Sequence, residues 1–208
     1  MMRNLYNWNS PWVQNLTLLT NLIILNFLWL ICCIPVFTAG AATTALYYTL
    51  IQFQTAKNDS VLNPFFHAFT DSFKQATLFW IPILAALALL IFNISYLLVN
   101  EVSMIHWSLI IVAMFVVIAL LTYLFPLIAR YHMGWRELIS TSISLFILHL
   151  PLSLVIILLS SIPVIIGLVF PAVFLSLGII WIGFGFSFIA YLNSKLFLRI
   201  FNKHIKSC

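Results

Sequence analysis

Asp59, Asp71, Glu101 and Glu137 are the four carboxylates of this 208-residue chain, and their placement limits its chemistry. No two are spaced to pair for general acid and base work, and each falls in a polar stretch. None is therefore placed to carry a proton or a sodium ion across an apolar core, where ionisable groups mark transport pathways. His67, His106, His132, His149 and His204 show no HExxH or related metal spacing, and Cys32, Cys33 and Cys208 form no CxxC pair. The sequence contains neither a GxSxG nucleophile turn nor a Walker A loop. These residues predict a protein that is not an enzyme and that uses no cofactor and no metal.

The remaining polar chemistry sits inside apolar stretches. His149 lies in FILHLPL, just before Pro151. That proline lacks the N–H that would pair with the carbonyl of Ile147, and the imidazole is expected to bond the freed carbonyl rather than a ligand. Asn15 and Asn26 stand about three helical turns apart and so share a face that looks into a bundle. The pair predicts hydrogen bonding between helices. Its functional reading is a polar pathway shared with Thr43, Thr44, Asn93 and Asn193. Trp29, Trp80 and Trp181 would be the aromatic platforms of a sugar site beside such amides.

Membrane helices must position these residues. Hydrophobic residues make up 64% of the chain and charged residues 6%, with a mean hydropathy of +1.15. Soluble domains carry about 25% charged residues. The expected fold is all-α, a single integral membrane domain over residues 1–208 built as a polytopic transmembrane helical bundle. Spans of roughly 20 residues or more are expected at 12–36, 76–99, 107–127 and 144–168, and from a reversal near residues 167–171 to Phe197. Residues 38–55 are uncharged and about 27 Å long as a helix, which makes either a sixth span or a re-entrant segment of a five-span protein. Two amphipathic surface helices are expected on the cytoplasmic side. In the first, Phe65, Phe66, Phe69 and Phe73 oppose His67, Asp71, Lys74 and Gln75; the second covers residues 135–148.

The stretch LICCIPVFTAGAATTALYY, residues 30–48, turns the chain back on itself. Pro35 removes a backbone donor and Gly40 relieves the steric limit on a tight reversal, so residues 35–40 read as a corner. Gly40 and Thr44, and Ala41 and Ala45, fall at small-xxx-small spacing, which predicts close approach of a neighbouring helix. Residues 39–41 also have the small-residue character of a leader cleavage site. The single basic residue before a long apolar run predicts an uncleaved span instead.

The run LWLICCIPVFTAGAATTALYY, together with FFHAFTDSFKQATLFW further on, resembles the YesL family of bacterial integral membrane proteins, domain of unknown function 624. The resemblance covers nearly the whole chain. It implies a multi-pass protein of the bacterial cytoplasmic membrane and no transferable activity. Proteins resembling this family are often encoded beside carbohydrate uptake systems and their sensors. It therefore implies an accessory or regulatory part in carbohydrate uptake, with a transporter or membrane sensor as partner. A small-solute permease or channel is the alternative reading.

Nine basic residues outweigh the four acidic ones, a formal charge of +5. In a membrane protein such an excess marks cytoplasmic loops facing anionic lipid, and no nucleic-acid partner is expected. Six spans with an internal N-terminus place all nine inside; five spans move only Arg3 outside. Both arrangements put the C-terminus in the cytoplasm.

Overall fold

Every regular element among the described residues is helical, as lipid demands of a chain whose backbone groups cannot bond water. The computed structural model describes residues 11–56, 60–99, 104–131 and 133–204. Residues 1–10 and 205–208 lie outside this set, as do Asp59, Glu101 and His132. Among the described residues five helices are long and apolar enough to cross a membrane, and the chain is a membrane protein.

Helix α1 (Pro11–Cys33) stops two residues before Pro35, and a single 3-10 turn, Val36–Thr38, leads into α2 (Ala39–Ala56). The corner falls where Pro35 and Gly40 place it. Helix α2 is not among the five apolar helices. It packs against α1, against α3 (Leu62–Val99), against α4 (Met104–Arg130) and against α9 (Phe186–His204). Screened in this way from lipid, it needs small residues more than apolar ones: Ala41, Ala42, Ala45 and Thr44 are buried. The close neighbour expected from the small-residue spacing is α3. A Cβ on residue 40 would lie 2.7 Å from Trp80 Cβ, so the two backbones meet where only hydrogen fits.

Helix α3 runs unbroken through 38 residues, about 57 Å at 1.5 Å per residue. Residues 64–75, expected as a separate surface helix, are its first turns. Part of their aromatic face is a packing face: Phe65 is buried with Leu22, Leu25, Leu46 and Leu50 of α1 and α2, and Phe69 packs against that cluster, while Phe66 stays exposed. The surrounding helices, which a local periodicity cannot reveal, supply the apolar partner that was assigned to lipid.

Helix α4 and helix α5 (Trp135–Leu148) pack together through Leu138, Leu145 and Phe146, with Phe115 and Tyr123 edge-on to Phe146 at 5.0 and 6.3 Å. The second expected amphipathic helix is thus present, with its apolar stripe turned into the bundle and Trp135, Arg136 and Glu137 exposed. A joint at His149 leads to α6 (Leu150–Val169), which begins later than the expected span because α5 takes up residues 144–148. The short helices α7 (Pro171–Ser176) and α8 (Gly178–Ile180) follow, then one π-helical turn, Trp181–Gly185, and α9.

Candidate functional site

Two polar assemblies stand out in an otherwise apolar molecule. The first is buried. Asn26 is fully buried on α1, and its amide donates to the carbonyls of Trp181 at 3.0 Å and Ile182 at 2.6 Å. Its side-chain oxygen accepts the backbone N–H of Ser187 at 2.9 Å. Ser187 Oγ donates back to the carbonyl of Leu22 at 2.7 Å. A π-turn inserts one residue into the α-helical ladder and upsets its bonding, and Asn26 serves both sides of that irregularity. Gly185 makes room for it, since a Cβ there would come within 2.5 Å of the Trp181 ring.

The second assembly is an open cleft of about 180 Å³ between α2, α3 and the end of α4. Thr44, Tyr48, His67, Asp71, Ser72, Gln75 and Arg130 supply its polar lining. His67 Nδ1 lies 3.0 Å from the Asp71 carboxylate, both side chains well exposed. Gln75 donates to the carbonyl of Met133 at 3.1 Å, and Ser72 Oγ donates to the carbonyl of Ala68 at 2.6 Å, which fixes both side chains on protein partners. The Arg130 guanidinium lies 5.6 Å from the Tyr131 ring and 5.8 Å from the Phe201 ring, a cation held between aromatic faces. Burial pushes the Tyr131 hydroxyl upward from its ordinary pKa, and the charge of Arg130 offsets part of that rise. With donors, acceptors and one charge of each sign on its walls, the cleft can hold a small polar molecule. Among the described residues no group of three or more His, Cys, Asp or Glu is arranged to hold a metal ion.

The residues singled out in the sequence are scattered among several roles. Asn15, expected to share an inward face with Asn26, is exposed, because the first turns of α1 lack neighbours on that side. Asn93 is exposed and bonds its own helix at the carbonyl of Leu89. Asn193 is buried and donates to Ser160 Oγ at 2.9 Å. Thr43 accepts from Trp29 Nε1 at 3.3 Å, and Thr44, whose hydroxyl bonds the carbonyl of Gly40, reaches the cleft wall. Pro35 flanks the 3-10 turn and Gly40 abuts α3. His149 is half-buried at the joint between α5 and α6, where its backbone N–H donates to Leu145 and its carbonyl accepts from Ser153. The three tryptophans are packing groups: Trp29 and Trp181 lie against Phe186, and Trp80 lies against Phe125. The sequence reading missed Ser187, Tyr123 with its 2.8 Å bond to Ser153, and Gln54 with its bond to Ser194. The only local signal for these was a polar residue inside an apolar run.

Residues 22–94 match the family described as "Protein of unknown function, DUF624". The likeness covers well under half of the 208-residue chain. The matched stretch contains Asn26, the corner, all of α2 and most of α3, which is the tightly packed pair and its cap. The match is shorter than the near-whole-chain reach of the resemblance read from the sequence. No curated protein and no solved structure matches the chain.

Proposed function

We propose that this protein is a non-enzymatic component of the bacterial cytoplasmic membrane that acts by contact with another membrane protein. The partner class is a carbohydrate transporter or membrane sensor, which the family resemblance implies. The C-terminus is cytoplasmic, in keeping with Lys195, Arg199, Lys203 and Lys206 at that end of the chain. The fate of the amides supports the contact reading: Asn26 and Asn193 spend their donors holding helices together, and Asn15 and Asn93 lie on other surfaces. A pathway for solute would need them to converge.

The second reading, a small-solute permease, draws on the polar cleft of about 180 Å³, which has room for a small solute. Three measurements separate the readings. Deletion of the gene is expected to change sugar uptake, and the tagged protein is expected to copurify with the transporter. The protein alone in sealed vesicles is expected to pass no labelled sugar. Uptake by those vesicles would favour the permease, and normal uptake in the deletion strain without copurification would remove the contact reading.

A further inference from the structure

The corner between α1 and α2 is built for surroundings without water. The 3-10 turn already pairs the carbonyls of Pro35 and Val36 with the N–H groups of Thr38 and Ala39, and side-chain donors add to these bonds and reach Cys32 as well. Thr38 Oγ1 reaches Cys32 and, at 2.7 Å, Pro35, while Trp80 Nε1 donates to Val36 at 2.7 Å. A turn in water needs no such arrangement; a turn among acyl chains does. The side chains that point outward are apolar: Ile34 is 77% exposed, Val36 62% and Phe37 53%.

The neighbours of the corner fix its surroundings. On one side it continues the exposed apolar face of α1 through Phe27 and Ile31. On the other, Trp80 is the midpoint of α3, and residues 81–99 carry that helix about 28 Å further. Leu89, Ile91 and Phe92 are exposed along this stretch. If the corner stood in water beyond the membrane, that apolar half of α3 would stand in water too. The apolar belt therefore runs past the corner in both directions.

We infer that residues 34–38 turn inside the hydrocarbon and that acyl chains cover them, so α1 and α2 form a re-entrant hairpin. The chain enters and leaves that hairpin on one side, and α3, α4, α6 and the α8–α9 unit make four full crossings. This arrangement differs from both the six-span and the five-span expectations and is independent of the accessory reading.

Single cysteines test it in a parent carrying Cys32→Ala, Cys33→Ala and Cys208→Ser. Ile34→Cys and Phe37→Cys are expected to resist a membrane-impermeant maleimide in intact cells and in inside-out vesicles. Ser60→Cys should react in one preparation only. Labelling of all three after denaturation confirms that each variant is present. Spin labels at positions 34 and 37 in nanodiscs should be accessible to oxygen and shielded from a nickel chelate. Reaction of Phe37→Cys from the face opposite Ser60→Cys would establish two full crossings and overturn the inference, and so would reaction from the same face. Spin labels shielded from both quenchers would mean that protein covers the corner in place of lipid.

Discussion

Asn26 and Ser187 bind each other's helices in both directions: the N–H of Ser187 donates to Asn26 Oδ1 at 2.9 Å, and Ser187 Oγ donates to the carbonyl of Leu22 at 2.7 Å. One amide on α1 thereby sets where the π-turn falls, and with it the register of α9 against α1. Asn26→Ala removes this link and leaves the carbonyls of Trp181 and Ile182 without those donors. The expected loss is about 1–2 kcal/mol, since buried polar links between membrane helices fall in that range or below. Thermal unfolding in detergent checks it, and an unchanged midpoint would show that the π-turn satisfies itself.

Gly40 predicts a steric effect with its own control. Gly40→Ala drives a methyl into Trp80 Cβ at 2.7 Å and the carbonyl of Ala76 at 3.1 Å, so α2 and α3 must separate. Overpacking of this kind costs about 1–3 kcal/mol. Gly183→Ala meets no atom within 4 Å and should leave the midpoint unchanged or raise it. Equal effects of the two substitutions would argue against close packing at Gly40.

The corner predicts a hydrogen-bond effect separate from its depth in the membrane. Thr38→Val keeps the shape of the side chain and removes the hydroxyl that serves Cys32 and Pro35; Trp80→Phe removes the donor to Val36. Pro35 and Val36 keep the N–H groups of Thr38 and Ala39, so each substitution should lower stability by about 0.5–1.5 kcal/mol, the usual net worth of one hydrogen bond. The double variant should lose less than the sum if one turn responds to both, because groups in one network are not additive. A double-mutant cycle reads this directly.

Tyr131 predicts an alkaline limit. Its pKa is raised in the folded protein by burial, against the opposing charge of Arg130, so the folded state holds the phenolic proton more tightly than the unfolded chain does. This contribution is fully present below the ordinary tyrosine pKa of about 10 and is lost as pH rises through the folded value. Stability should be level on this account from neutrality to about pH 9 and fall above about 10. Tyr131→Phe should flatten part of that fall, and an unaltered alkaline profile would remove Tyr131 as its source.

Local chemistry made much of the fold legible. Pro35 and Gly40 placed the corner because proline and glycine act on the backbone wherever they stand. The spacing of Gly40, Ala41, Thr44 and Ala45 announced a close neighbour but could not name α3, since the spacing describes one surface of a contact. The phenylalanines of residues 65–73 showed the right period, but Phe65 and Phe69 pack into the bundle while Phe66 stays exposed. An apolar stripe fits lipid and protein equally well, and only the position of α1 and α2 decides between them.

The sequence by itself determined the class of the molecule, its apolar helices, the corner and the absence of metal and catalytic motifs, because all of these follow from residue type and nearby spacing. The tertiary structure alone decided which polar residues meet. Asn15 and Asn26 are alike in type and share a helix face, yet one is exposed and the other holds a π-turn 155 residues away. Hydrogen bonds over such separations depend on how α1 crosses α9, and the crossing is set by the packing of whole helices.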